Sequence, residues 1–160
     1  MGNYVFKETQ RFTQPWIWVL IIGIIGVMIY ALYSQPLLGW EIIFPILVVG
    51  FVVTLLLNLQ LKTRIDNKGL SFSFFPIIGT RNYSFDQIEK LELIEYNSLL
   101  KFGGWGIRYN FDMWAYNIRG KHGLIVTLKN KKFLIGTQKP NEMQKAIDQF
   151  RELKSGNHVG

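Results

Sequence analysis

The sequence predicts an α+β membrane protein in which an N-terminal transmembrane α-hairpin is followed by a seven-stranded antiparallel β-barrel or sandwich, capped by a C-terminal α-helix. Three observations predict this class. Two long segments near the N-terminus carry no charged side chain. The residues after them alternate between short apolar stretches and turn signals, and the last apolar stripe repeats at helical spacing.

The first element after a cytoplasmic N-terminal segment, residues 1–14, is a two-helix hairpin over residues 15–61. Its spans are expected at about 15–33 and 41–61. A helix of nineteen residues is about 28 Å long, which is enough to cross the hydrocarbon core of a bilayer. The alternatives are a pair of helices buried in a soluble core and a signal peptide. Two uncharged runs are rare in the former, and a signal peptide has a shorter apolar region with a small-residue cleavage site.

Basic residues flank this hairpin on one side only. Lys7 and Arg11 precede the first span, Lys62 and Arg64 follow the second, and the link between the spans contains no Lys or Arg. Positively charged flanks stay on the cytoplasmic side of a membrane. The sequence therefore predicts a multi-pass protein of the cytoplasmic membrane with both termini in the cytoplasm.

The next domain, residues 62–154, has the pattern of a small antiparallel β structure. Turn signals such as Asn67-Lys68-Gly69 and Asn130-Lys131 separate about seven expected strands. Pro140 then opens an amphipathic helix, and residues 155–160 are expected to form a flexible tail. The apolar stripe of this helix, which we expect to pack on the strands, consists of Met143, Ala146, Ile147, Phe150 and Leu153.

The order of several motifs after the hairpin carries a resemblance. They read RIDNKGLSFSF, SFDQIEKLEL, GGWGIRY and GLIVTLKN followed by KKFLIGTQKP, with a closing helix. This order resembles the small bacterial membrane proteins with a pleckstrin-homology-like (PH-like) domain, many of them uncharacterised. The resemblance implies a bent seven-stranded barrel, closed by the C-terminal helix and held at the inner face of the bacterial cytoplasmic (inner) membrane. It implies little about activity, because this fold is reused for lipid, peptide and protein binding.

The stretch KFGGWGIRYN places three glycines around Trp105. A nucleotide-binding glycine loop joins a strand to a helix, whereas this stretch leads into a strand and lacks the ending GK[ST]. We therefore predict that the glycines serve a tight turn, that at least one has a positive φ, and that Trp105 packs across a barrel opening or against lipid headgroups. Arg108 with Lys101 could pair with a lipid phosphate or stay solvated, and the sequence leaves both open.

The domain after the hairpin is basic, with sixteen Lys and Arg against nine Asp and Glu. Arg119 and Lys121 share one turn, and Lys131 and Lys132 share another. Such groups suit anionic headgroups, although solubilising charge is the simpler explanation. Nucleic acid is not expected, because the aromatic residues fall where strands and membrane helices need them. The candidate contacts with a partner or a headgroup are Lys101, Trp105, Arg108, Arg119, Lys121, Lys131 and Lys132.

No group of residues in the sequence predicts catalysis, a cofactor or a metal. The spacing of three among Asp86, Glu89, Glu92 and Glu95 would align them on a helix, but strand alternation scatters them over both faces. The chain contains no cysteine. The sequence favours a non-enzymatic, membrane-anchored binding or scaffolding module whose partner is another membrane protein or the anionic leaflet. An accessory subunit of a transport or secretion assembly and an enzyme acting on a lipid-linked substrate are the alternatives, and the oligomeric state stays open.

Overall fold

The computed structural model describes residues 5–34 and 39–156 of the chain. These residues form two compact units: Phe12–Leu59 is one, and the described residues up to Arg11 together with those from Gln60 onward are the other. In chain order the elements are β1 (Phe6–Arg11), α1 (Pro15–Ser34), α2 (Trp40–Asn58), β2 (Gln60–Asp66), β3 (Gly69–Phe75), β4 (Ile78–Ser84), a 3₁₀ turn (Phe85–Gln87), β5 (Ile88–Glu95), α3 (Ser98–Phe102), β6 (Gly106–Tyr109), β7 (Trp114–Asn117), β8 (His122–Leu128), β9 (Lys131–Thr137) and α4 (Pro140–Gly156).

The helical unit contains α1 and α2. In the described part of the chain, α1 is the one helix that is long and apolar enough to cross a membrane by length and composition. The apolar part of α2, Ile43–Asn58, is shorter. Helix length and composition thus support one membrane-crossing helix, and the second of the two expected spans needs a separate argument. The expected outer link lies partly outside the described residues, because 35–38 are not among them.

The first sheet has the order β1-β2-β3-β4 and is antiparallel throughout. Strand β1 lies within the segment 1–14, to which the sequence analysis assigned no strand. Its Phe6, Glu8 and Gln10 are buried and alternate with exposed residues. Because two of these three inward residues are polar, the strand lacks the apolar alternation by which strands are recognised. Arg11 pairs with Gln60, so the helical unit is inserted between two neighbouring strands.

Polar contacts tie β1 to the end of β9 in the second sheet. The Thr137 hydroxyl donates to Glu8 Oε2 over 2.7 Å and the Gln138 amide donates to Glu8 Oε1 over 2.8 Å. Gln10 Nε2 donates to the Gly136 carbonyl over 2.6 Å. Burial raises the pKa of the Glu8 carboxyl above its ordinary value, and these hydrogen bonds together with Lys139 offset part of the rise. The N-terminal strand is therefore an integral part of the β domain.

The second sheet has the order β5-β8-β9-β7-β6. The described residues form nine strands rather than the expected seven, and β7 pairs with β9 in parallel, so the expectation of a wholly antiparallel arrangement is wrong. Residues Phe133–Thr137 of β9 are all buried, which suits a central strand covered on both faces. Strand β9 accordingly lies between its hairpin partner β8 and the last strand of the β6–β7 hairpin.

Helix α4 covers the β domain with most of its predicted stripe. Met143, Ala146, Ile147 and Phe150 are buried, as expected, whereas Leu153 is 36% exposed. The helix continues to Gly156, past the expected end of the domain at residue 154. The rest of the expected tail, residues 157–160, lies outside the described residues.

A second apolar cluster lies under α3, a helix of five residues that the sequence analysis did not predict. Leu134 alternates with the inward-facing Phe133 and Ile135 along β9, so it faces the opposite side of the sheet. The sheet thus carries apolar contacts on both faces. The cluster consists of Tyr96, Phe102, Met113, Ala115 and Leu134.

Candidate binding cleft

A cleft of about 450 Å³ opens between β4, the edge strand of the first sheet, and strands β6, β7 and β9 of the second. Alternate residues Arg81 and Tyr83 reach it from β4, and alternate residues Trp114 and Tyr116 reach it from β7. Its lining is apolar and aromatic with three cations. The lining residues are Ile77, Ile78, Arg81, Tyr83, Ile107, Trp114, Tyr116, Lys131, Lys132 and Phe133.

Packed rings make the floor of this cleft rigid. The ring centroids of Phe72 and Tyr116 are 4.9 Å apart, and those of Phe72 and Phe133 are 5.4 Å apart. Tyr83 packs on Phe133 at 5.1 Å. Aromatic pairs at these separations stabilise their mutual orientation beyond simple burial. The inner wall of the cleft is therefore preformed.

The three cations differ in how they are held. Lys131 Nζ lies 5.4 Å from the centroid of the Tyr83 ring, and Lys132 Nζ lies 2.7 Å from Asp112 Oδ1. Arg81 forms no ion pair within the part of the chain that the structure describes. Both partners of the Lys132 pair are substantially solvated, so the pair contributes little and can open. The cleft therefore presents positive charge to an incoming group.

The electrostatics of Tyr116 fit a partly dry, basic cleft. Burial raises the pKa of its hydroxyl, the positive charge of Arg81 offsets part of the rise, and Tyr83 adds to it. The lining includes no Asp, Glu, His, Ser or Cys. The ionisable side chains of the lining are those of Arg, Lys and Tyr, and what they offer chemically is cation and aromatic contact to an anion with an apolar part.

The other candidates from the sequence lie elsewhere. Trp105 and Lys121 line a separate cavity of about 580 Å³ together with Tyr96. Lys101 is exposed at the end of α3, and Arg119 is exposed in the link before β8. Strand β8 runs between Lys121 and the turn before β9, so Lys121 and Lys131 are about 20 Å apart. The basic turns do not form one patch. Of the candidate residues named from the sequence, only Lys131 and Lys132 line the cleft.

Arg108 lies exposed on β6, and its Nε donates to the Trp105 carbonyl over 3.3 Å. This bond folds the side chain back over the glycine segment. The pairing of Arg108 with Lys101 around a phosphate stays a hypothesis, because these contacts neither require nor prevent it.

The glycine segment before β6 closes a turn. Gly103, Gly104 and Gly106 have φ angles of 67°, 131° and 105°, which confirms the prediction of a positive φ. The Gly106 amide donates to Asn117 Oδ1 over 3.0 Å, and Asn117 Nδ2 donates to Tyr96 Oη over 2.9 Å. Buried Asn117 thus fixes the turn over the second apolar cluster, and the glycines serve backbone geometry.

Alanine at Gly106 is expected to cost about 1–3 kcal/mol of unfolding free energy, because a residue with Cβ is strained at this φ. Nothing within 4 Å would meet the added Cβ, so the cost comes from the backbone alone. The matched control is Gly79→Ala, where φ is not positive and the Cβ site is also open. Urea unfolding of both variants measures the difference. Equal stability would contradict the geometric role.

Sequence reasoning missed Arg81, Tyr83, Trp114 and Tyr116 as parts of the cleft. The available signal was the spacing of two within each pair, which puts both members of a pair on one face of a strand. The sequence could not show that β4 faces β7 across the two sheets. That proximity depends on the central placement of β9.

The acidic residues Asp86, Glu89, Glu92 and Glu95 do not gather into a metal-binding group. Among the described residues, no cluster of three or more His, Cys, Asp or Glu has the arrangement to hold a metal ion. Glu92 instead pairs with Lys90 at 2.7 Å on β5.

Comparisons with protein-family models, with curated proteins and with solved structures find no match to this chain.

Proposed function

We propose that the protein is a non-enzymatic binding or scaffolding module anchored by two membrane spans, with its PH-like β domain at the inner face of the bacterial cytoplasmic membrane. The observation that carries the proposal is the insertion of the helical unit between β1 and β2. The two sheets with a C-terminal helix agree with a PH-like arrangement in outline, while the nine strands and the parallel pair depart from it.

The insertion favours an even number of crossings. Arg11 and Gln60 are partners in an antiparallel pair, so their Cα atoms are about 4.5–5.5 Å apart. A segment that leaves and returns at adjacent points must cross a membrane an even number of times. If α1 crosses, the chain has to return before Gln60, and α2 with its nineteen residues is about 28 Å long. Connectivity thus supports the second span that helix length alone leaves open.

The side chains of the helical unit support a lipid environment. Only a small part of α1 is buried, unlike a core helix of a soluble protein. Within α2 the polar side chains bond to the helix's own carbonyls: Thr54 Oγ1 donates to Gly50 O over 2.7 Å, and Asn58 Nδ2 donates to Thr54 O over 2.8 Å. Such internal bonds satisfy polar groups where water is absent.

A removable signal sequence fits the structure poorly. Cleavage after α1 would take away β1, whose Phe6 is buried in the core and whose Glu8 and Gln10 bond to the second sheet. Retention of α1 keeps this strand in place. The basic flanks Lys7 and Lys62 favour a cytoplasmic position of the β domain.

The cleft supports a binding role. It combines Arg81, Lys131 and Lys132 with aromatic walls, which suits an anionic group attached to an apolar one. A lipid headgroup and an acidic segment of another membrane protein both have this chemistry. We propose binding rather than catalysis, because the lining offers cationic and aromatic contacts and includes no Asp, Glu, His, Ser or Cys.

Single-cysteine labelling tests the topology, and the natural absence of cysteine makes each label unique. In intact cells, an impermeant thiol reagent is expected to label Ser34→Cys, at the end of α1, and to spare Thr9→Cys on β1 and Asn130→Cys in the β8–β9 turn. All three should react after the membrane is permeabilised. Labelling of Thr9→Cys or Asn130→Cys from outside would overturn the cytoplasmic placement.

A further inference from the structure

Exposed apolar side chains concentrate on two neighbouring segments of the β domain. The β3–β4 turn exposes Phe75 and Ile77, and the β6–β7 hairpin exposes Tyr109, Phe111 and Trp114. Ile77 and Trp114 line the same cleft, so the two segments adjoin. We call these five residues the apolar rim. Contiguous exposed apolar surface marks a contact site for a protein or a membrane.

The hairpin holds Phe111 out into solvent by a defined turn. Phe111 is 96% exposed and has a φ of 65°, an uncommon conformation for a residue with a side chain. Asn110 Oδ1 accepts hydrogen bonds from the amides of Asp112, at 3.3 Å, and Met113, at 3.0 Å. The Tyr109 ring lies 6.1 Å from Phe111 and 5.2 Å from Trp114. Backbone strain at an exposed aromatic residue points to a role outside the fold itself.

Two residues of the rim, Phe75 and Ile77, lie at the end of the first sheet where the chain leaves for the helical unit. Phe75 is the register partner of Gln60, and Gln60 is the register partner of Arg11. Strand β2 begins at Gln60, two residues after α2 ends at Asn58. The apolar β3–β4 turn therefore neighbours the points at which the chain leaves and re-enters the β domain.

Positive charge lies in the cleft that two residues of the rim line. Arg81, Lys131 and Lys132 share the cleft with Ile77 and Trp114. Aromatic and aliphatic side chains with cations beside them are the composition of a surface that lies in the interface of an anionic bilayer. Each cation near such a surface is attracted to it. An acidic peptide would use the cleft but would leave Phe75 and Phe111 unexplained.

We propose that the apolar rim is a membrane-docking surface: its side chains enter the interfacial layer of an anionic bilayer, and Arg81, Lys131 and Lys132 bind lipid phosphates there. The occupant of the cleft is then the headgroup of an anionic phospholipid. This inference rests on the proposed membrane anchorage and names the partner of the same cleft. The docked rim adds a second attachment to the bilayer beyond the spans.

Depth measurement with a spin label tests docking on the full chain, reconstituted in vesicles of equal parts phosphatidylcholine and phosphatidylglycerol. One variant carries the label at Phe111→Cys. The matched control carries it at Leu100→Cys, an apolar site 87% exposed on α3 and outside the rim. Frequent collisions of the spin label with oxygen indicate that the label lies in lipid, and frequent collisions with a water-soluble nickel chelate indicate that it lies in water. We expect the oxygen-to-nickel ratio to be several-fold higher at Phe111 than at Leu100. Equal, water-like ratios would overturn docking.

A second variant tests the role of the cations. It adds Lys131→Gln and Lys132→Gln to the protein that carries the label at Phe111→Cys. The ratio at Phe111 is expected to fall toward the Leu100 value in this variant, and also in vesicles of phosphatidylcholine alone. An unchanged ratio in both cases would overturn the role of the cations. A water-like Phe111, combined with lysine-dependent binding of a poly-glutamate peptide, would assign the cleft to an acidic protein segment instead. The thiol topology assay does not use these positions, so anchorage and docking can fail separately.

Discussion

Replacing Phe150 with alanine is expected to lower the free energy of unfolding by about 3–5 kcal/mol, the range for removing a buried phenylalanine side chain. Phe150 is 4% exposed, and its ring centroid lies 4.7 Å from that of Phe85 in the 3₁₀ turn before β5. A domain of this size has a stability of about 5–15 kcal/mol, so the loss would be a large share of the total.

The cost at Phe150 is large because α4 is held to the sheet at the same place by polar contacts. Lys154 Nζ donates to the carbonyls of Ile88 and Glu89 over 2.7 Å and 2.8 Å, and lies 5.8 Å from the Phe150 ring centroid. These bonds keep the helix from closing the gap that alanine would leave. A cavity that cannot collapse costs more than the transfer of the ring alone.

Pulse proteolysis of the full chain in detergent micelles, over a urea series, measures this change. The matched control is Leu153→Ala on the same helix, which removes a partly exposed side chain and should cost much less. If Phe150→Ala lowered the free energy of unfolding no more than Leu153→Ala does, the packing of the apolar stripe of α4 would not be essential to the β domain.

The sequence predicted those elements whose local pattern agrees with their place in the fold. Helix α4 has a starting proline and an apolar stripe, and the hairpin around Gly69 has a turn whose glycine takes a φ of 142°. The glycine turn before β6 was likewise predictable, because three closely spaced glycines mark a segment that needs backbone conformations other residues rarely adopt. In each case the signal lies within a few residues and needs no partner from elsewhere in the chain.

Other features depend on distant contacts and left no local signal. The parallel pairing of β7 with β9 depends on which distant strand lies beside β9, and the run of apolar residues in β9 does not identify that strand. The cleft requires β4 and β7 to face each other, and Arg81 reads as an ordinary solvated cation until they do. Helix α3 is too short to show periodicity.

Strand β1 is the clearest such case, and Phe6→Ala tests it. Phe6 is 1% exposed and pairs in register with Ile65 of β2. The substitution is expected to cost about 3–5 kcal/mol, because a fully buried ring is removed from an N-terminal strand that also carries the buried Glu8 and Gln10. If the N-terminal segment were not packed into the β domain, Phe6→Ala would leave the free energy of unfolding almost unchanged.

Hydrogen exchange gives the local readout, since it measures the opening free energy of each strand separately. In the full chain, Phe6→Ala should speed exchange in β2, whose Leu61 and Ile65 depend on pairing with β1. The matched control is Phe111→Ala, the same substitution at an exposed ring, which should leave β2 protected. If β2 kept its protection in Phe6→Ala, β1 would be dispensable to the sheet. The register of Arg11 with Gln60 would then no longer support the proposed return of the chain to the same side of the membrane.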